Sequence, residues 1–380
     1  QVFNEIDGTT PVVDFTAGSY VSGSTLVSST SGETWTLVGN ASIFQPPVDE
    51  SGPFGYLAEK ASTNVCLYSE DFASWPNNFR VTYAAAAAPD GTLGADLVTA
   101  DAGTNTSHFI YQGAGGPYAS TLTFSVWAKA GTYGYFALDL GGLSDKYAIF
   151  DLFTGTVGNV SAGFTGTMEE HSNGWYRCSI TGIYNQAPTN PHILFNSNGT
   201  SLAYTFTTAG TESMYWWGAQ LETSTYPTSY IATTTTAVTR NADVLTAGDI
   251  ITDAAGSGYA EASSIWGTAT GSYFLLARTG VGRLLYTNAG AANNIIVYDG
   301  TAVSSLSSSP SYYNRPAPMA STWGANLTVY KDNEAGGVVA YDGTMGTGDL
   351  GIGIQNNGFY PWDGTIREVK IFDSELTAAE

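Results

Sequence analysis

The chain is poor in charge, in cysteine and in histidine. Only 12% of its 380 residues are Asp, Glu, Lys or Arg, about half the ~25% of an average soluble protein. Lys and Arg number 12 against 33 Asp and Glu, so the formal net charge is −21. Nucleic-acid binding needs a positive footprint, which excludes that partner and disfavours anionic membranes. The acidic balance reads first as solubility. Cation binding by carboxylates gathered on loops is the minority reading. Two cysteines, Cys66 and Cys178, are too few for a disulfide framework or a thiolate zinc site. Each lies in an apolar strand-like run, which favours buried free thiols over a bridge between them. None of the three histidines, His108, His171 and His192, pairs with another at metal spacing. No apolar run reaches the ~18 residues of a membrane span, and no signal-peptide pattern opens the chain. Because it begins at Gln1 and not at Met, upstream residues are expected to have been removed or omitted. There is no Gly-x-Ser-x-Gly elbow, phosphate loop or His-Glu-x-x-His.

Glycine (45), tyrosine (24) and tryptophan (9) are abundant, and Ser and Thr recur throughout. Aromatic and β-branched residues favour strands, while Gly, Asn and Asp favour tight turns. An all-β chain of two antiparallel sandwiches, jelly-roll in type, is therefore expected. Leu122, Phe124 and Val126 alternate with Thr123, Ser125 and Trp127, so one face is apolar. The alanine run Ala84–Ala88 ends at Pro89-Asp90-Gly91 and reads as a loop turn. Residues 1–60 form a short β-rich segment, too small for a strong core, that packs on the next domain or mediates attachment. Residues 61–236 form the first sandwich, and the polar run Thr233–Thr236 places the boundary. Residues 237–380 form the second. There Ile366–Phe372 reads as a strand covering the core near its edge, and Ser374 as a helix start.

Several phrases stand in a telling order. They are Thr63-Asn64 before Ser69-Glu70-Asp71-Phe72, Ala88-Pro89-Asp90-Gly91-Thr92, and Phe124-Ser125-Val126-Trp127-Ala128-Lys129-Ala130-Gly131. Next come Phe150-Asp151-Leu152-Phe153-Thr154-Gly155-Thr156-Val157, Asn173-Gly174-Trp175-Tyr176-Arg177-Cys178, and Trp217-Gly218-Ala219-Gln220-Leu221-Glu222 running on to Val238-Thr239-Arg240. Over Ala61 to Arg240 they resemble a β-sandwich family of tailed-phage virion proteins, the head spike fibre and tail fibre type. The closing Gly364-Thr365-Ile366-Arg367-Glu368-Val369-Lys370-Ile371-Phe372 resembles the last strand of concanavalin-A-like, laminin-G-like jelly rolls. The resemblance implies a non-enzymatic structural protein on the outside of a phage particle, extracellular and homo-oligomeric, held by capsid or tail proteins. The alternative it leaves open is a tail-fibre adhesin for host surface glycan, and the third reading is a polysaccharide depolymerase.

Candidate contact residues follow from aromatic and polar side chains standing together. Trp175, Tyr176 and Arg177 suggest a sugar platform with a hydrogen-bonding cation. The plainer reading puts Trp175 and Cys178 in the core, with Arg177 covering its rim. Of Trp216 and Trp217, which point to opposite faces, one is expected in the core and the other at a glycan or protein contact. In the last domain Tyr312, Tyr313, Arg315, Trp323, Tyr360, Trp362 and Asp363 suggest a loop-built glycan site, against plain loop packing. Asp299, Asp332, Asn333 and Asp342 are calcium candidates, although Asp-Gly is foremost a hairpin turn. No cofactor is expected, calcium being the one ion these turns could take. Glu169, Glu170, Asp139 and Asp151 are the carboxylates a hydrolase would need.

Overall fold

The computed structural model describes residues 55–376 apart from 76–79, 114–119, 142, 144, 186–189, 252, 265–271, 279–281, 289–293, 307–315, 333, 343 and 355–359. Before residue 55 it describes the strands Val13–Thr16, Thr25–Val27, Thr34–Val38 and Ser42–Phe44. The described residues are almost all strand and turn, with two short 3-10 turns, Phe72–Ser74 and Ser172–Gly174. Every strand pairing is antiparallel. None of the described residues forms a helix long and apolar enough to cross a membrane.

The chain divides into two compact units. One is the continuous stretch Ser62–Arg240, and the other joins Gln1–Ala61 to Asn241–Glu380. In the continuous unit, a six-stranded sheet runs Phe164–His171, Trp175–Tyr184, Ser120–Ala130, Ser213–Glu222, Ala95–Thr99, Arg80–Ala86. A five-stranded sheet runs Phe109–Tyr111, His192–Phe195, Tyr135–Asp139, Tyr147–Asp151, Thr156–Val160. Leu122, Phe124 and Val126 from the first share one core with Phe136, Leu138, Phe150, Ile193 and Phe195 from the second. The unit is therefore a β-sandwich, and the alternation along Leu122–Ala128 is the alternation of its two faces. Cys66 and Cys178 are free and buried in that same core, where loss of water pushes both thiols up.

Two local features depart from simple alternation. Between Ser125 and Trp127 the pairing slips, so that two residues of the Ser213–Glu222 strand, Gly218 and Ala219, answer one of its neighbour, Val126. Gly218, with φ +66, lies in this bulge, and a Cβ there would lie 2.8 Å from the Trp127 ring. After the bulge Ala219 and Leu221 face the core, as Met214 and Trp216 do before it. The alanine run is not a loop turn. Ladder pairing with Ala95–Thr99 carries the strand to Ala86, and the turn begins at Ala88, whose carbonyl accepts from Gly91.

In the discontinuous unit, one sheet follows the order Glu334–Ala335, Asn326–Lys331, Ala317–Trp323, Gly256–Ser264, Gly364–Phe372, Gly55–Ala58, Ser42–Phe44, with Val13–Thr16 also on Gly364–Phe372. The other runs Thr25–Val27, Thr34–Val38, Val244–Ala247, Leu350–Ile352, Tyr273–Arg278, Arg283–Asn288, Asn294–Tyr298, Val303–Leu306. Tyr56, Ala58, Leu276, Leu285, Ile295, Trp323, Trp362 and Ile366 share its core. The segment before residue 61 thus joins the C-terminal sandwich, adding strands to both of its sheets, and not the sandwich that follows it in sequence. Gly364–Phe372 is an interior strand and not one near the edge. A register shift opposite Glu261 and Ala262 lets Ile366 and Val369 both reach the core. Ser374 begins no helix through Leu376, where the chain is bent or irregular.

Candidate functional site

The aromatic residues singled out from the Ser62–Arg240 sequence are mostly architectural. Trp175 and Arg177 lie on the same face of their strand, away from the core that holds Cys178 and Ile180. That corrects the expectation of Trp175 and Cys178 sharing a face. Trp216 is in the inter-sheet core at 0% exposure, and Trp217, on the opposite face, is only 3% exposed. Neither is a free contact, because the outer face is itself occupied. Trp127, Trp175 and Trp217 pack there with Tyr215 and Tyr230. The Trp217 and Tyr230 rings are 4.5 Å apart, and the Arg177 guanidinium lies 4.2 Å from the Trp127 ring. Arg177 donates to the Thr228 carbonyl and to Ser125 Oγ. Tyr176 is half-buried against the core.

A polar network fastens the segment that leaves this unit. Glu222, buried, accepts at Oε1 from the Thr228 amide and the Gln220 side chain, and at Oε2 from the Ser62 and Thr228 hydroxyls. Asn64 donates to the carbonyls of Ala219 and Ile231 and accepts from the amides of Cys66 and Leu221. Full satisfaction of such buried groups is what makes them stabilising.

The outer face of the five-stranded sheet carries a different arrangement. Register pairing sets Tyr111 opposite His192, His192 opposite Asp139, and Asp139 opposite Tyr147, a row of four side chains across four strands. Neighbours in such a row have Cβ atoms about 5 Å apart. Beside it Ala137, Ile149 and Leu194 are fully buried, with Phe109, Leu143, Leu202 and Tyr204 partly buried around them. The Tyr111 ring stacks on the His192 imidazole, centroids 5.2 Å apart and planes 24° apart, and keeps 38% of its surface exposed. Phe109 packs at 5.5 Å from the same imidazole.

Asp139 and His192 form the polar centre of the row. Asp139 Oδ1 accepts from the amides of Gly141 (2.7 Å) and Leu143 (3.4 Å). The turn that brings those amides round holds Leu143 at φ 54, a strained region for a branched side chain. His192 Nδ1 is 3.7 Å from Asp139 Oδ1. Burial pushes the Asp139 carboxyl up to about 6, opposed by those two amides. Burial pushes the His192 imidazole down to about 4, opposed by a hydrogen bond with the Asn190 backbone. At neutral pH the carboxylate is charged and the imidazole neutral, and the pair holds the plane against which Tyr111 rests. The arrangement can offer an exposed aromatic face to the apolar side of a sugar ring. No motif marks these residues. Only the alternation of Phe109 with Tyr111 and of Ala137 with Asp139 places them on one face, and it does not say which strands become neighbours.

The hydrolase carboxylates do not assemble. Glu169 and Glu170 are exposed on an edge strand of the six-stranded sheet, with His171 Nε2 3.9 Å from Glu169 Oε1. Asp139 and Asp151 lie on the other sheet, opposite Tyr147 and Tyr135. Four residues of strand separate their rows, about 13 Å, against about 5–9.5 Å for glycosidase pairs. Asp151 also holds a turn, accepting from the Phe153 amide and the Thr154 hydroxyl.

In the discontinuous unit, Tyr312, Tyr313, Arg315 and Asn333 lie outside the described residues. Trp323 and Trp362 are core side chains, and Trp362 Nε1 donates to the Ser263 carbonyl. Asp363 is buried and accepts from the Lys60 amide. Tyr360 remains a surface candidate, 53% exposed. Asp299 Oδ1 accepts from the amides of Thr301 and Ala302, and its Oδ2 from that of Asp342. Asp342 Oδ1 accepts from the Thr344 amide, and Asp332 lies 3.6 Å from the Lys331 ammonium. These carboxylates serve turns and a neighbouring cation. Among the described residues no group of three or more His, Cys, Asp or Glu could hold a metal ion.

No protein-family model matches this chain, and no curated protein matches it. Among solved structures it is similar to a candidate carbohydrate-binding protein from Bacteroides ovatus, at 11% identity over 80% of this chain and 78% of that one, TM-score 0.28. It is also similar to domains LG4-5 of the mouse laminin alpha1 chain, at 10% identity over 73% and 89%, TM-score 0.26. A third is a Trypanosoma rangeli sialidase in complex with sialic acid, at 10% identity over 93% and 66%, TM-score 0.27. At such identities no residue role passes from them to this chain.

Proposed function

We propose that the chain is a non-enzymatic structural protein on the exterior of a tailed-phage particle, a head decoration or spike fibre. In this reading it is homo-oligomeric and held by capsid or tail proteins. One observation carries the reading. The phrases that resemble phage virion proteins span Ala61 to Arg240, and the chain folds one self-contained unit over Ser62–Arg240. The residues of those phrases, Asn64, Trp127, Arg177, Gln220 and Glu222 among them, are the ones that close that unit. What supports the reading is that these phrases fall within one compact unit of the chain. Mass spectrometry of purified virions, with the position of this chain in an electron-microscopy map, tests it. Density on the capsid lattice is expected. Absence from purified particles, with recovery in an intracellular enzyme complex, overturns it.

A second reading, a tail-fibre adhesin for host surface glycan, is favoured by the exposed Tyr111 ring set on His192. A glycan array run with and without calcium tests it, and no binding above background in either condition overturns it.

A further inference from the structure

The outer face of the eight-stranded sheet holds a cation, Arg283, that meets no carboxylate among the described residues. Leu284 and Leu285 face the inter-sheet core. Phe274, Tyr286 and Ile296, with Tyr298 against them, form a separate cluster. The Arg283 guanidinium sits among three of these rings, 5.4 Å from Phe274, 5.6 Å from Tyr286 and 5.2 Å from Tyr298. Phe274 and Tyr286 stack at 5.2 Å with planes 11° apart, and the Tyr286 hydroxyl shares a hydrogen bond with Arg283. The exposed Tyr360 ring lies 5.5 Å from Phe274, and the Phe274 amide donates to the Tyr360 carbonyl.

Arg283 differs from the other cations around it. In the same unit Arg278 meets Asp249, Arg367 meets Glu261 and Lys370 meets Glu368. Arg283 pairs with no carboxylate among the described residues, and its Nε is buried without a hydrogen-bond partner there. A guanidinium pinned on aromatic faces keeps its fork pre-organised, and that fork matches a carboxylate bidentately. Without a carboxylate partner among the described residues, the Arg283 charge is left to an external anion. The neighbouring Tyr360 ring adds a face for a sugar.

We propose that this face is a binding site for an acidic saccharide, one whose carboxylate engages Arg283 while its ring stacks on Tyr360. The site is separate from the Tyr111 row and does not depend on which part of a particle carries the chain.

The test uses the full chain and immobilised polygalacturonate, with its methyl ester as the uncharged control and polysialate as a second carboxylated polymer. The carboxylated polymers separate a uronate from a sialate preference. Retention on at least one of them, weakened by salt and lost on the ester, is expected. Arg283→Met keeps the stem on the rings and removes the charge. It should weaken binding at least about tenfold at an unchanged melting temperature, with Arg283→Lys in between. Should Arg283→Met melt early, Tyr360→Ala carries the test, and undiminished binding by that variant overturns the site. Binding to neither acidic polymer, equal binding to the ester, or full binding by a folded Arg283→Met also overturns it. Tyr111→Ala should leave this binding intact, so failure of the adhesin reading and failure of this one are told apart.

Discussion

Asp139 and His192 stand opposite each other on adjacent antiparallel strands, with Oδ1 and Nδ1 3.7 Å apart, and burial shifts their protonation in opposite directions. The carboxyl, raised from 3.8 to about 6, favours the folded state when protonated, so its contribution is lost as pH rises through about 6. The imidazole, lowered from 6.5 to about 4, favours the folded state when neutral, so its contribution is lost as pH falls toward about 4. Over the shared window the two slopes cancel, each shift corresponding to about 3 kcal/mol. The contribution of this pair to stability is expected to be nearly flat between these limits. Asp139→Asn should leave a melting temperature that rises with pH across the window, and His192→Gln one that falls. Thermal melts at four pH values check this, and two variants with the native profile would refute it.

Asn64 uses both its donors and its acceptor on four backbone groups. Asn64→Asp keeps the shape but replaces two donors with a buried anion facing carbonyls. A loss of about 3 kcal/mol or more is expected. Urea denaturation followed by tryptophan fluorescence reads it.

Tyr111 and Trp217 should separate binding from stability. Tyr111→Ala removes a ring at the surface, so stability should change by less than about 1 kcal/mol while neutral-glycan binding falls. Trp217→Ala empties a packed site between Trp127 and Tyr230 and should cost about 3–5 kcal/mol. Calorimetry beside the glycan array measures both.

Cutting the chain at its unit boundaries should give unequal results. Residues 62–240 are expected to fold alone. Residues 241–380 are expected to fail alone, because Tyr56 and Ala58 belong to their core and Gly55–Ala58 pairs with Gly364–Phe372. Near-ultraviolet circular dichroism of the two pieces distinguishes these outcomes.

Much of the fold was legible in the sequence wherever one strand reports on itself. The alternation at Leu122–Val126 needs no knowledge of its neighbours, and in the three-residue turn between the paired His171 and Trp175 the positive φ values fall on Asn173 and Gly174, residue types that tolerate them. What could not be read locally was partnership. Nothing in Tyr56 or Ala58 says that their strand pairs with one more than 300 residues away. Nothing in Trp217 says that the face opposite the core is also covered. The Tyr111–His192–Asp139–Tyr147 row exists only through three registers, two of them between strands distant in sequence. The aromatic phrases Trp175 and Trp216-Trp217 are conspicuous because large rings fill both the inter-sheet core, as Trp216 does, and the covered outer face, as Trp175 and Trp217 do.

The discontinuous unit sets an order on synthesis. The ribosome delivers Val13–Thr16 and Gly55–Ala58 early, yet both pair with Gly364–Phe372, which emerges after the whole of Ser62–Arg240. The nascent chain must therefore carry unsatisfied strand edges while an entire domain folds behind them. Such edges are where a second copy could dock prematurely, so soluble yield should respond more to translation speed through residues 241–363 than through residues 62–240.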